Sequence, residues 1–153
     1  MLPLRKIICP LDFSEPAYAA LDKAAELATH FDAELCLVHV VPLAPPFPSD
    51  LLIGAVDTVE SDRAREEAAV TQLNEVVTGR LPGVRARPIV KMGYAANEIA
   101  CVAEDEGADL IVISTHGLTG WHHLIFGSTT DKVLRLAKCP VLIVRHMAEA
   151  QAH

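Results

Sequence analysis

Two short polar segments carry residues whose chemistry suits an anion. Ser114-Thr115-His116-Gly117 follows the buried run Leu110–Ile113. Nine residues separate Gly117 from Gly127-Ser128-Thr129-Thr130-Asp131, which begins a helical pattern. Glycines let the backbone approach a phosphate, hydroxyls can donate to it, and a helix N-terminus offers unpaired N–H groups with partial positive charge. The segments therefore predict a phosphate-binding turn, although the spacing matches neither a P-loop nor G-x-G-x-x-G.

The same residues also fit a purely structural interpretation. Ser128 has the side chain of a helix N-cap, and Asp131 stands three residues later, where it can reach back as in a capping box. This alternative needs no ligand.

A carboxylate ends the first predicted strand. The segment from Lys6 to Leu11 is mostly apolar and is followed by Asp12, and Ser14-Glu15-Pro16 then begins a helix that keeps apolar spacing to about Phe31. Asp12 is either a ligand-binding carboxylate or a charge that favours the helix N-terminus. The next strand, Glu34–Val41, is nearly all apolar, so we interpret His39 within it as a core histidine and not as a ligand.

Further strands and helices alternate along the rest of the chain. Four prolines between Pro42 and Pro48 predict a loop, which is either a lid over a site or a variable excursion. A helix is predicted from Asp57 to about Thr78, with an apolar stripe at Val59, Ala64, Ala68, Leu73 and Val76. A strand near a sheet edge follows at Val84–Val90, and a turn at Met92–Ala95 leads into a helix that ends near Gly107. The last predicted strand is Val141–Val144, after Pro140.

This alternation predicts an α/β fold, an open five-stranded parallel sheet with helices on both faces. Ligands of such sheets bind beyond the carboxyl ends of the strands, where the strand order reverses. Asp12, Val40-Val41 and Ser114–Gly117 all follow or end strands. If the first strand lies beside the fourth, these residues meet in one crevice.

Composition limits the class of protein. The 153 residues are 51% hydrophobic, which predicts one domain at residues 1–147 with a short tail at 148–153. The net charge of −7 argues against nucleic acid or an anionic membrane as partner. There is neither an apolar run long enough to span a membrane nor a signal-peptide pattern, and four cysteines without C-x-x-C spacing predict free thiols in a reducing cytoplasm.

Several motifs together resemble the universal stress protein family. They are Pro10-Leu11-Asp12-Phe13-Ser14, His39-Val40-Val41, Gly93-Tyr94-Ala95, Ser114-Thr115-His116-Gly117 and Gly127-Ser128, and they cover nearly the whole chain in order. The resemblance implies strand order 3-2-1-4-5 and a dimer. One branch of the family binds ATP through Gly, two residues, Gly, nine residues, Gly, then Ser or Thr. Here Gly117, Gly127 and Ser128 match that pattern, and Ser114 replaces its first Gly.

The resemblance also implies residue roles. Asp12 would bind the ribose, and Ile113 and Ser114 would border this sugar. The adenine would be bound by Val40 together with Pro10 and Leu11. The phosphates would be bound by Gly117, Gly127, Ser128, Thr129 and Thr130. Mg²⁺ could bridge the phosphates, but the sequence shows no dedicated protein ligands for it. If residue 114 needs a positive φ, serine there is strained and binding weakens about tenfold.

Three functions remain open at this point: an ATP-binding stress or signalling module, the same fold without ATP as a dimeric interaction module, and a slow ATPase. The downstream protein partner is unknown. An exposed apolar edge at Val141–Val144 predicts a homodimer. A receiver domain is excluded because Asp12 lacks an acidic partner and Met92-Gly93 follows the third strand. His116, Trp121 and His122-His123 are interpreted as surface-loop residues.

Overall fold

The computed structural model describes residues 3–43, 55–115 and 127–145, with side chains from Glu60 onward in the second helix. In these ranges five strands alternate with four helices: β1 Lys6–Pro10, α1 Glu15–Phe31, β2 Glu34–Val41, α2 Ala55–Arg80, β3 Ala86–Met92, α3 Ala95–Asp105, β4 Leu110–Ser114, α4 Ser128–Leu136 and β5 Val141–Val144. The predicted order of elements is confirmed.

The strands form one parallel sheet in the order β3-β2-β1-β4-β5. Strand β1 is central and pairs with β2 along its whole length, and with β4 at Ile7 and Ile8. The chain therefore adds strands on one side of β1 and then crosses to the other. This confirms the predicted fold class and the adjacency of β1 and β4.

Side chains that alternate along the strands build a separate core on each face of the sheet. Ile7 and Cys9 pack with α1 and α2, whereas Ile8 packs with α3 and α4. In α1 the buried residues are mostly alanines, at positions 17, 20, 24 and 28 together with Leu21, so the helix lies close to the strands. Helices thus cover both faces, as the continuous apolar strands predict.

The apolar stripe predicted for α2 is partly wrong. Leu73 and Val76 are buried as predicted, but Ala64 and Ala68 are exposed, and Ala69 is buried in their place. Between Glu60 and Ala68 every side chain is exposed or half-buried, so helical spacing in this half does not reflect contact with the sheet. Val59 lies outside the described side chains.

Arg65 lies among the charged residues of α2, yet it is half-buried. Its guanidinium donates to the Pro42 carbonyl at 2.8 Å and to Asp62 Oδ1 at 3.0 Å. Arg65 therefore joins α2 to the segment that leaves β2.

The two edges of the sheet differ in their side chains. Strand β3 begins two residues later than predicted because Val84 donates its N–H to the Leu81 carbonyl in a turn. The strand contains Pro88, which has no N–H, and the exposed Lys91, and both features discourage pairing at an open edge. Strand β5 has only apolar residues, with Leu142 41% exposed.

Among the described residues no helix is both long and apolar enough to cross a membrane. All four cysteines are free: Cys9 and Cys36 are buried, Cys139 is half-buried and Cys101 is exposed. Burial raises the pKa of the Cys9 thiol to about 12 and that of Cys36 to about 11. Neither buried thiol is therefore a nucleophile at neutral pH.

An ion-pair network joins three strands and α3 at the amino-terminal ends of the strands. Arg87 donates to Glu34 at 3.1 Å and to Glu106 at 2.7 Å, and Lys6 donates to Glu106 at 2.8 Å. The Arg87 hydrogen bond holds the pKa of Glu34 below its ordinary value, and the Lys6 and Arg87 hydrogen bonds do the same for Glu106. The network therefore favours both carboxylates in the folded state.

We expect Arg87→Met to lower the free energy of unfolding by about 1 kcal/mol at pH 7, since the 42% exposed Arg87 side chain is partly screened by water. The carboxyl pKa values are lower in the folded state, so this contribution is present above their unfolded value of about 4.5. It is lost as the pH falls through the folded pKa. Urea unfolding at pH 7 and at about pH 3 measures the difference.

Arg63→Met is the matched control. Arg63 pairs with Glu67 on the surface of α2, where both side chains are more than two-thirds exposed. We expect a loss of only a few tenths of a kcal/mol. An Arg87→Met cost as large at pH 3 as at pH 7 would contradict the proposed origin of the stabilisation.

Candidate functional site

A crevice opens at the carboxyl ends of β1, β2 and β4, and it extends to the N-terminus of α4. Its cavity volume is about 280 Å³. Ten of the eleven residues predicted for the site line this cavity: Pro10, Leu11, Asp12, Val40, Ile113, Ser114, Gly127, Ser128, Thr129 and Thr130. The convergence expected from the strand ends is therefore present in the structure.

Two hydrogen bonds fix the start of α4 against the end of β4, and a third joins the end of β4 to β5. The Thr115 N–H donates to the Val144 carbonyl of β5 at 3.1 Å, and the Gly127 N–H donates to the Thr115 carbonyl at 2.9 Å. Thr130, which is 4% exposed, donates its hydroxyl to the Ser114 carbonyl at 2.9 Å. The first N–H groups of α4, which have no partner within a helix, consequently lie at the crevice.

The capping-box interpretation of this turn is wrong. Gly127 is the N-cap and makes no side-chain cap bond, while Ser128 is the first helical residue. Asp131 instead forms an ion pair with Arg135 one turn later, at 3.1 Å. Because neither side chain caps the helix, the Ser128 hydroxyl is exposed at the crevice and the Asp131 charge is balanced within α4.

Ser114 does not carry the backbone strain that would have weakened a nucleotide site. Among the described residues, the non-glycine residues with positive φ are Phe13 and Asp32. Ser114 is therefore outside the left-handed region, and its backbone does not require glycine. Its side chain is a small polar group on the cavity wall.

Asp12 combines a structural role with an open position at the crevice. Its Oδ1 accepts hydrogen bonds from the Ser14 N–H at 3.0 Å and from the Ser14 hydroxyl at 2.5 Å. Ser14 in turn caps α1 by accepting from the Ala17 N–H at 3.4 Å. Both bonds to Asp12 use Oδ1, and Oδ2 meets no donor among the described residues. Asp12 is exposed and lines the cavity.

Sequence reasoning missed five residues of the cavity wall: Ala17, Val38, His39, Ala95 and Ile99. Ala95 and Ile99 belong to the first turns of α3, which starts close to the end of β3. The turn between β3 and α3 contains Gly93, which has φ +151° and where a Cβ would lie 2.8 Å from Glu98 Oε1. Their place after a strand end is the signal that could have identified them.

His39 is the missed residue with the most chemistry. Its Nδ1 lies 2.7 Å from the Leu11 carbonyl oxygen, so the histidine is satisfied as we predicted. It is nevertheless half-buried and lines the cavity, which the interpretation as a core residue did not anticipate.

Several sequence predictions fall outside the described residues. They concern Gly117, His116, Trp121, His122-His123 and most of the proline-rich loop after Leu43. In the part of the chain that the structure describes, no three His, Cys, Asp or Glu side chains come together as metal ligands.

The fold and the crevice define a class of protein: an open parallel α/β protein with a helix N-terminus at its topological switch point. Comparison with known sequences identifies the family. Residues 3–145 match the Universal stress protein family. The chain belongs to this family.

Individual relatives agree with this assignment. Universal stress protein MJ0531 of Methanocaldococcus jannaschii is 33% identical over 143 residues, which cover 92% of this chain and 82% of that protein. The solved structure of MJ0577, a universal stress protein of the same organism, superposes with a TM-score of 0.79 at 29% identity and covers 95% of this chain and 99% of that chain.

Two more distant structures were solved with nucleotides and share the fold. A universal stress protein in complex with cAMP is 20% identical with a TM-score of 0.66, over 93% of this chain and 97% of that one. A universal stress protein from Archaeoglobus fulgidus in complex with dAMP is 21% identical with a TM-score of 0.57, over 94% and 98%.

We expect Thr130→Val to lower the free energy of unfolding by about 1 kcal/mol, because valine cannot donate to the Ser114 carbonyl. Thr129→Val is the positional control, since Thr129 is half-buried beside it and should lose less than about 0.5 kcal/mol. Equilibrium urea unfolding measures both. Equal losses would mean that the hydroxyl of Thr130 does not anchor α4.

Proposed function

We propose that this protein is a single-domain ATP-binding module of stress response or signalling. The observation that carries the proposal is the cavity at the switch point. The Asp12 carboxylate, Ser114 at the end of β4 and the N-terminus of α4 all line this one cavity. Two relatives of the same fold, which were solved in complex with cAMP and with dAMP, support the same chemistry.

The residues divide between three parts of the nucleotide. Pro10, Leu11 and Val40 would form an apolar slot for adenine, with Val40 backbone groups at the base edge. Asp12 Oδ2 would accept hydrogen bonds from the ribose, and Ile113 with Ser114 would border the sugar.

The phosphates would lie at the start of α4. There Gly127, Ser128 and Thr129 offer backbone N–H groups, and the two hydroxyls add donors. Thr130 supports this turn through its bond to the Ser114 carbonyl rather than by direct contact alone. Gly117 completes the set in the sequence pattern. Mg²⁺ would be held mainly by the phosphates.

The output of the module is proposed to pass through a homodimer formed by β5 to a protein partner. Leu142 is exposed on this all-apolar edge strand, whereas β3 at the opposite edge carries Pro88 and Lys91. A reducing cytoplasm is the proposed compartment, which the exposed free thiol of Cys101 favours.

The second candidate is the same fold without ATP, as a dimeric interaction module. The observation in its favour is Ser114 in the position of the first motif glycine. The ordinary φ of Ser114 weakens this alternative, because the substitution creates no backbone strain there.

Calorimetric titration with ATP, with and without Mg²⁺, tests the proposal. We expect micromolar binding, weakened about tenfold in Asp12→Asn, because the amide keeps an oxygen for Ser14 but replaces the free acceptor with a donor. Titration with 2′-deoxy and 3′-deoxy ATP completes a thermodynamic cycle. If Asp12 binds one ribose hydroxyl, the analogue that lacks this hydroxyl should show the smallest difference in affinity between the wild type and Asp12→Asn.

Asp22→Asn is the control for the change in net charge, since Asp22 lies on the exposed side of α1. It should bind ATP like the wild type. Absence of binding at millimolar ATP would favour the ATP-free module. If ATP is converted to ADP in the presence of the wild-type protein but not in a sample without protein, the proposal extends to slow ATP hydrolysis.

Sedimentation at about ten micromolar tests the dimer. We expect a wild-type dimer and a Leu142→Glu monomer, because in a symmetric β5 contact each new charge approaches the buried edge of the other copy. Leu43→Glu is the control, because Leu43 is a 55% exposed leucine elsewhere on the surface. A monomeric wild type would contradict the dimer.

A further inference from the structure

The turn between β1 and α1, Leu11 to Ser14, holds a backbone conformation that its sequence does not favour. Phe13 has φ 62°, in the left-handed region that bulky L residues rarely adopt. Such a conformation persists only where the surrounding structure determines it, and it is concentrated at functional sites. This turn forms part of the crevice wall through Leu11 and Asp12.

His39 of β2 contacts the turn at two points. Its Nδ1 is 2.7 Å from the Leu11 carbonyl oxygen, and its ring centroid is 4.7 Å from that of Phe13, with a 40° angle between the rings. Because a carbonyl oxygen only accepts, Nδ1 carries the hydrogen in this contact. The Leu11 N–H also donates to β2, at the Val38 carbonyl, at 2.8 Å.

Asp12 lies between the two residues that His39 contacts. Its Oδ1 is occupied by the Ser14 N–H and hydroxyl, which leaves Oδ2 as the oxygen for a ligand in the cavity. The position of that oxygen depends on the backbone of Leu11 and Phe13, and therefore on the side chain that holds both.

We propose that His39 is a positioning residue of the nucleotide site. Its hydrogen bond to Leu11 and its ring contact with Phe13 hold the turn in the conformation that presents Asp12 to the ribose. This inference rests on the proposed nucleotide function, and it assigns a role to the one polar side chain in β2 between Leu35 and Val41.

The pair His39→Asn and His39→Leu isolates the hydrogen bond. Asparagine and leucine have the same shape, and both remove the ring contact with Phe13. The asparagine amide nitrogen can occupy the place of Nδ1 and donate to the Leu11 carbonyl, which leucine cannot do. We expect calorimetry to show ATP binding weakened about tenfold in His39→Leu and less than about threefold in His39→Asn.

The thermodynamic cycle with Asp12→Asn supplies a readout that a general loss of stability would not change. If His39 acts through Asp12, then His39→Leu should weaken ATP binding much less in the Asp12→Asn background than in the wild type. Equal weakening by the leucine and asparagine variants would overturn the role of the hydrogen bond to Leu11. Full additivity with Asp12→Asn would overturn the assignment as a whole.

Amide hydrogen exchange tests the same inference without any nucleotide. We expect the Ser14 amide, which is bonded to Asp12 Oδ1, to exchange faster in His39→Leu than in His39→Asn. Exchange at Ile8 in the centre of β1 corrects for global unfolding. If the wild type binds no ATP but Ser14 responds in this way, the proposed function fails while the role of His39 in the turn stands. Unchanged Ser14 exchange overturns that role as well.

Discussion

The parallel pairing of β1 with both β2 and β4 is the constraint on which the rest of the structure depends. Because all strands run in one direction, their carboxyl ends share one edge of the sheet. The helix that follows β1, α1, packs on one face and the helix that follows β4, α4, packs on the other, and the crevice lies at the strand ends between these two helices. Every candidate ligand residue in the described ranges comes from this edge or from a helix that starts there.

The two ends of the sheet use their polar groups in opposite ways. At the amino-terminal end, Lys6, Glu34, Arg87 and Glu106 satisfy one another and lower the pKa values of both carboxyl groups. At the carboxyl end, the polar groups hold the turns in place but leave acceptors and donors directed to the cavity, as Asp12 and the first turn of α4 illustrate. The amino-terminal end therefore satisfies its charges internally, whereas the carboxyl end keeps groups that a ligand can reach.

Unfavourable local geometry occurs where binding needs a defined shape. Phe13 keeps a left-handed backbone beside Asp12, where the Ser14 bonds to Asp12 Oδ1 span it from within the turn and His39 contacts it from β2. Ser114 shows the converse case, since the position where a family motif has glycine keeps an ordinary φ. Motif positions are thus informative about size and polarity even where they impose no conformational requirement.

The sequence by itself determined the order of elements, the parallel sheet with helices on both faces and the polar segments that line the crevice. These follow from local signals: apolar runs, helix caps such as Ser14, and polar residues directly after strands. The apolar crevice residues Pro10, Leu11 and Ile113 were implied by the family resemblance. The strand order came from the family resemblance, because alternation alone is compatible with several orders.

Only the tertiary structure decided the role of His39, the contact of Arg65 with Pro42 and the buried face of α2. Each depends on which distant segment lies opposite: His39 meets Leu11, which is 28 positions away, across a strand boundary. The cap of α4 was also mispredicted, because the bond from Gly127 to Thr115 sets where the helix begins. The periodicity of apolar residues predicts which side chains share one face of a helix or strand. Which distant segment contacts that face is set by packing across the sheet.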